Sequence, residues 1–311
     1  MNKFELELVF KDGTSKRFSK CIYTVWERDI YTPYSKIYGT FLCENINFSQ
    51  LSDTVSLCLY VNSILYHKGI PDKLDFNFSA SSNLLNFSSR GFTLLLGQNQ
   101  PQPKINSNVN LSDLLTKNIS SPEITCEENT KTVNYIYVKE NSTVWDAVTA
   151  YCLKAYGTYP YIKGNKVMAT CSNSPVTDFS SPKIVNYSFG LDTTLVLSDI
   201  YMSDEEGNYK FHSQNDDALK MGIQRVKFIP LDRQWLSDTQ LGLKGKLDFS
   251  KRGMKFKSCT YLGFNGENLM DKISSLHESL NGKRINSLRV TTNKKGTFTT
   301  VKCYDDFFGQ L

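Results

Sequence analysis

Between Phe4 and Phe10 the chain runs Phe-Glu-Leu-Glu-Leu-Val-Phe, then meets Lys11-Asp12-Gly13. Period-two alternation commits one face of an extended strand to a core. Asp-Gly supplies the left-handed backbone that a tight hairpin needs. The pattern recurs. Val55, Leu57, Leu59 and Val61 share a face, and Asn62-Ser63 turns this run into Ile64–Tyr66. Lys68–Asp72 reads as a further turn into Lys73–Phe78, with Leu84–Phe87 beyond it. Together with Val25-Trp26 and Gly39–Leu42, these short strands predict a small barrel or sandwich over about residues 1–95. Composition agrees: six Ala against 19 Phe and 17 Tyr favour strands over a helix bundle.

The texture changes at Gln98-Asn-Gln-Pro-Gln-Pro103, a polar crossover. Val109–Leu115 is a short helix candidate. The clearest helix runs from Thr143 to Ala155: Thr143 is a natural N-cap with Asp146 three residues on, Val144, Val148, Tyr151 and Ala155 follow at helical spacing, and Gly157 can close the end. Tyr159–Ile162 and Lys166–Ala169 flank Lys163-Gly164-Asn165 as a hairpin. This middle stretch therefore reads as a small α/β unit.

After Ser180-Ser181-Pro182 strand signals return in Thr194–Leu197, Asp199–Met202, Tyr209–Phe211, Val226–Ile229 and Met254–Lys257. Leu269, Ile273, Leu276 and Leu280 predict a helix over Asn268–Leu280, with Gly282 as its cap, and the chain closes on a hairpin through Asn293–Gly296. The expected fold class is β-rich α+β: two small, tube-type β-barrel-like domains separated by a small α/β domain. The domains are 1–97, a first barrel; 98–184, the α/β domain; and 185–311, a second barrel-like domain with a helix and the C-terminal hairpin.

The N-terminus lacks the apolar core of a signal peptide, and no apolar run is long enough to span a membrane. The eight cysteines include no C-x-x-C pair and fall mostly in apolar stretches, so free thiols are expected. Sequons such as Asn47 and Asn141 then reflect Asn-rich composition rather than glycosylation. The expected setting is a reducing cytoplasm. A net charge of +5 permits an anionic partner without requiring one.

Signals for chemistry are sparse. His67, His212 and His277 stand in no metal pattern. The doublets Glu127-Glu128, Glu205-Glu206, Asp216-Asp217 and Asp305-Asp306 are neighbours in sequence, which on a strand point to opposite faces, so they suit turns better than a two-carboxylate cleft. No phosphate loop, dinucleotide fingerprint or nucleophile elbow occurs. The stretch Lys244–Lys257 interleaves Lys and Arg with Phe249 and Phe256; it reads as a solvated strand face, with a nucleic-acid surface as the sharper alternative. No catalytic, cofactor-binding or metal residue is assigned, and the expectation is a chain that is not an enzyme.

The order of three passages resembles the baseplate hub, or tail-tube-initiator, proteins of contractile phage tails and of phage-like injection particles such as R-type bacteriocins. They are Val55–Ile70, a strand–turn–strand reaching Lys-Gly-Ile; Leu84–Gly97, with Ser89-Arg90 leading into a Leu-rich turn; and Ser142–Met168, a central helix followed by a hairpin. The resemblance implies a structural virion component: a homotrimeric ring with a central channel that adapts a three-fold spike to a six-fold tail tube. Its implied partners are further copies of itself, the central spike protein, the tail tube or tube-initiator protein, and wedge or tape-measure proteins, with no membrane and no specific nucleic acid. It implies synthesis in the bacterial cytoplasm followed by assembly into the tail baseplate. It makes Arg90 an anchor at the barrel exit and Trp145 a core residue of the middle domain. The lack of a LysM-like, lysozyme-like or β-helical extension assigns wall cleavage and puncture to partners. Two other readings stand beside it: a carbohydrate- or receptor-binding tail module using the aromatic content, and a cell-wall glycan hydrolase using two acidic residues.

Overall fold

The computed structural model describes residues 2–43, 48–78, 82–128, 131–170, 175–179, 184–236, 238–275 and 277–305. The first stretch contributes β1 (Phe4–Phe10), β2 (Ser15–Phe18), β3 (Lys20–Asp29), β4 (Lys36–Leu42), α1 (Phe48–Ser52), β5 (Thr54–Val61), β6 (Ile64–Phe78), β7 (Asn83–Gly91) and α2 (Leu94–Gln98). The middle contributes β8 (Lys104–Val109), α3 (Leu111–Asn118), β9 (Thr125–Cys126), β10 (Val133–Val138), α4 (Val144–Tyr156), β11 (Tyr161–Lys163), β12 (Lys166–Met168) and β13 (Val176–Asp178). The remainder contributes β14 (Ile184–Leu191), β15 (Asp199–Met202), β16 (Phe211–Gln214), α5 (Asp216–Lys220), β17 (Val226–Ile229), α6 (Thr239–Ser250), β18 (Lys255–Leu262), β19 (Lys272–Ser274), β20 (Ser287–Asn293) and β21 (Gly296–Tyr304).

The turns follow from local chemistry. Between β1 and β2, Asp12 Oδ1 accepts from the Thr14 amide at 2.9 Å and from its hydroxyl at 2.7 Å, while Gly13 takes φ +84°. Asn62 and Ser63 both hold positive φ in the two-residue turn between β5 and β6, the backbone that matches strand twist. The Lys68–Asp72 bend does not separate two strands. β6 runs through it as one strand of 15 residues, shifting register between Pro71 and Lys73. Proline has no N–H to give the ladder, and the irregularity absorbs it.

The two β units are one hydrogen-bonded system. β20 pairs with β3 from Ser287↔Asp29 to Thr292↔Thr24, giving an eleven-stranded sheet in the order β14-β18-β21-β20-β3-β4-β7-β6-β5-β1-β2. It curls into a half-barrel. Leu6, Leu8, Trp26, Ile37, Phe41, Leu57, Leu59, Leu85, Tyr261, Val290 and Val301 fill its main core. The middle stretch has a separate core built on α3 and α4, with Leu111, Leu114, Ile136, Val144, Val148 and Tyr151 buried. Thr143 caps α4 as its sequence predicts: its hydroxyl accepts from the Asp146 amide at 3.2 Å, Asp146 accepts back from the Thr143 amide at 2.8 Å, and Gly157 closes the helix at φ +66°. Between the sheet neighbours β14 and β18 lies an excursion: the small sheet β16-β15-β17 packs Ile200 and Met202 against Leu243 and Leu247 of α6.

Three further expectations need correction. Asn268–Leu280 is not a helix. Met270 takes φ +69°, and β19 pairs in parallel with β13. Leu269, Met270, Ile273, Leu280 and Ile285 are buried in an irregular strap, so their helical spacing reflects burial without a helical backbone; Leu276 lies outside the described residues. The Asn, Asp and Ser residues of this stretch favour local turns over helix interiors. Thr194–Leu197 is a turn, not a strand. Most of Lys244–Lys257 is helix α6 and the turn after it rather than a strand face. Gly242 and Gly245 weaken the helical signal there, and contact of Gly242 with Trp235 explains the first: a Cβ would stand 3.0 Å from that side chain. The break at Ser180-Ser181-Pro182 lies outside the described residues.

Candidate functional site: the inter-unit junction and the sheet edge

The titratable residues sort into structural roles. His67 is buried between the Ser35 hydroxyl, 2.7 Å from Nδ1, and the Ser89 hydroxyl, 3.0 Å from Nε2. Burial, aided by the Arg28 charge, pushes its pKa down to about 3 and keeps the ring neutral. His212 Nε2 lies 2.9 Å from Asp199 Oδ1, and His277 packs on the Tyr187 ring at 4.2 Å. Glu127 accepts from the Ala169 and Thr170 amides and the Thr170 hydroxyl. Asp216 and Asp217 open α5, where the helix dipole favours acids. Glu206 accepts from the Asn208 side chain in its turn, and Asp305 meets Lys283 at 3.1 Å; Asp306 lies outside the described residues. Cys21, Cys43, Cys58, Cys126, Cys152, Cys259 and Cys303 are free thiols, and Cys171 lies outside the described residues. Burial pushes the Cys58 thiol up to about 11 and Cys303 up to about 12, which disfavours thiolate chemistry. Among the described residues no group of three or more His, Cys, Asp or Glu is placed to hold a metal, and no helix is long and apolar enough to cross a membrane.

What the structure does assemble is a junction. Period two puts Thr24, Trp26 and Arg28 of β3 on the inward face, and all three are buried. The Arg28 guanidinium donates to Asn268 Oδ1 at 2.8 Å, on the strap, and to the Ile162 carbonyl on β11. Burial lowers its pKa to about 10, with the Asp271 charge opposing that shift. Asp271 accepts from the Asn268 amide at 2.8 Å, and burial raises its own pKa. One cation thus ties the first β unit, the middle hairpin and the late strap. Sequence reading missed it, although its alternation with Trp26 was the available signal.

A second tie joins the middle stretch to the excursion. Asp232 is buried, with Lys246 Nζ at 2.5 Å and Lys139 Nζ at 2.9 Å. Burial raises the Asp232 pKa, but the two ammonium groups outweigh it and hold the carboxyl below its usual range. Beside it, Gln234 Oε1 accepts from the Tyr137 amide at 2.7 Å. Phe249 does not face solvent among lysines. It stacks on Tyr159 at 5.3 Å and meets Tyr31 edge-on at 5.8 Å, while Tyr31 stacks on Tyr304 at 5.8 Å. Trp145 is buried in the middle core, its indole N–H donating to the Tyr159 hydroxyl at 3.3 Å. Arg90 grips Asp72 bidentately across β7 and β6, at 2.6 and 2.8 Å, beside the register shift.

The two ends of the large sheet differ. β2 is four residues long and carries Lys16 and Arg17, the latter 3.3 Å from Glu7. β14 is eight residues long, reads IVNYSFGL, and has neither charge nor proline. It bonds β18 on one side, and among the described residues nothing pairs with its other side. Ile184, Val185, Phe189 and Leu191 are exposed, Phe189 at 82%.

No family model matches the sequence, and no curated protein matches it at a significant level. Solved structures do match. The tail protein from Neisseria meningitidis MC58 superposes with a TM-score of 0.68 at 15% identity, over 98% of this chain and 98% of that one. The 43 kDa tail protein of prophage MuSo2 from Shewanella oneidensis gives 0.70 at 11% identity, over 98% and 97%. A chain of the half-lidded Francisella PdpA-VgrG complex gives 0.57 at 11% identity, over 100% of this chain and 59% of that one. The chain has the fold shared by these two tail proteins and the chain of the PdpA-VgrG complex.

Proposed function

We propose that this chain is a structural component of a phage-like tail, working through shape and surfaces rather than turnover. The observation that carries the reading is the extent of the likeness: two tail proteins share the fold over nearly the whole of both chains. The more specific form is a baseplate hub. Three copies form a ring, one face meeting a three-fold spike and the other a six-fold tail tube or tube-initiator protein, with wedge or tape-measure proteins as further neighbours. Residues 1–97 and 185–311 supply the two tube-type units of each copy, so that three chains present six. Residues 98–184 are the spacer between them. Likeness to a chain of a complex containing VgrG supports a spike-side partner. A contractile tail or an R-type bacteriocin is the setting, reached from the bacterial cytoplasm. The junction suits this role, because Arg28 and Asp232 fix the parts rigidly relative to one another.

The glycan-binding reading needs free aromatic faces. On β15–β17, Tyr201 is stacked between His212 at 4.3 Å and Phe228 at 5.0 Å, which covers both of its faces. Mass photometry with negative-stain imaging of the purified chain tests the proposal. A three-chain ring supports it. A single-chain species that turns over peptidoglycan, with turnover abolished by one carboxylate substitution, overturns it.

A further inference from the structure

We infer that Asn265 is a site of spontaneous deamidation, and that its conversion loosens the Arg28 junction. The chain holds two Asn-Gly pairs, Asn265-Gly266 and Asn281-Gly282. Asparagine before glycine is open to attack on its own side-chain amide, because the following residue carries no Cβ to block the approach. The Gly266 nitrogen adds to Asn265 Cγ, the carboxamide nitrogen leaves as ammonia with the proton that the glycine gives up, and a cyclic imide remains. Water then opens the ring. Opening at Cγ gives aspartate, and opening at the main-chain carbonyl gives isoaspartate, with the backbone rerouted through the side chain. One water is consumed, one ammonia is released, and nothing is oxidised or reduced.

Both asparagines are exposed, so solvent access does not separate the two pairs. Their hydrogen bonds do. The Gly282 N–H donates to the Ile273 carbonyl at 2.8 Å, and Asn281 Oδ1 accepts from the Ser275 amide at 3.3 Å. Nucleophile and target are both tied, and each must open before the ring can close. Among the described residues, neither the Gly266 N–H nor the Asn265 carboxamide makes a hydrogen bond; Asn265 is held by its main-chain amide, which donates to Glu267 Oε2 at 3.1 Å. The fold also requires the glycine. Gly266 takes φ +91°, and a Cβ there would stand 3.1 Å from the Tyr66 hydroxyl. The change reaches the junction through Asn268. The Gly266 carbonyl accepts from Asn268 Nδ2 at 3.1 Å, and Asn268 Oδ1 accepts from Arg28. Isoaspartate adds one carbon to the main chain just ahead of these bonds, and either product sets a carboxylate two residues from buried Glu267.

Peptide mapping by mass spectrometry tests this, with the purified chain aged at neutral pH in water enriched in heavy oxygen. The peptide bearing Asn265 should take up one labelled oxygen at least about tenfold faster than the one bearing Asn281, since two hydrogen bonds hold the second pair closed. In denaturant the two rates should converge, because the fold no longer separates the pairs. Asn265→Gln should stay unlabelled at that position, as its longer side chain would have to close a larger ring. If Asn281 converts as fast as Asn265 in the folded chain, the inference fails. It fails equally if Asn265 stays intact when folded yet converts in denaturant. The link to the junction has its own readout. The aged chain should melt below the fresh parent and below Asn265→Asp, which adds the charge without the extra carbon. An aged chain that melts with the parent would break the link to Arg28.

Discussion

Arg28 and Asn268 lie 240 positions apart in the chain, yet the Arg28 guanidinium donates to Asn268 Oδ1 at 2.8 Å in the buried core. The same side chain donates to the Ile162 carbonyl and faces the Asp271 charge. Arg28→Ala should therefore cost about 1–3 kcal/mol for each buried acceptor that it leaves unpaired, Asn268 Oδ1 and the Ile162 carbonyl. Arg28→Lys should recover only part of that loss, since an ammonium cannot span both acceptors as a planar fork does. Chemical denaturation of both variants checks this. A loss below about 1 kcal/mol in Arg28→Ala, the range of an exposed ion pair, would contradict the junction.

Val148→Asp should destabilise the chain by more than about 3 kcal/mol, since it buries an unpaired charge in the core of the middle unit. Val148 is fully buried on α4, between the capping box and Gly157. Thermal melting measures it. A melting temperature within a degree or two of the parent's would show that this face of α4 is not packed as described.

His67 makes stability depend on pH. Its folded pKa, about 3, lies below the ordinary 6.5, so the unfolded chain binds the extra proton. The contribution is fully present above pH 6.5 and is lost as pH falls towards 3, with a slope of about 1.4 kcal/mol per pH unit. His67→Gln should flatten the acid limb of the stability profile by about one proton's worth. Asp232, also depressed, adds to the limb only at lower pH, as its carboxyl approaches protonation. Melts of the parent and of His67→Gln between pH 4 and 7 separate the two. Identical slopes would mean that the imidazole is not held neutral.

Gly69→Ala should cost about 1–3 kcal/mol by overpacking. A Cβ at Gly69 would stand 2.1 Å from the Arg90 carbonyl oxygen, so β6 and β7 would have to part just beside the register shift at Pro71. Urea unfolding checks this. A neutral result would show that the two strands separate freely at this point.

The hairpin at Asp12-Gly13 and the helix begun at Thr143 were legible because each is decided within a few residues: a turn needs its left-handed glycine, and a helix its cap and one apolar stripe. The strap at 268–280 was misread for the complementary reason. Leu269, Ile273 and Leu280 mark burial at helical spacing, but burial follows from the neighbours β13 and the main core, which a local pattern does not contain. The pairing of β20 with β3, which fuses two strand-rich stretches into one sheet, likewise joins residues that no turn connects. No local pattern marks Arg28 or Asp232 as buried; the fold surrounds them. The place of β14 at one end of the sheet could be named only once the sheet order was known, because an uncharged strand reads the same at the centre of a sheet as at its end. Local sequence determined the elements and their turns, since backbone sterics and side-chain periodicity act over a few residues. Tertiary structure alone decided which elements became neighbours and which strands stood at the ends of the sheet, since that outcome depends on burial summed over the whole chain.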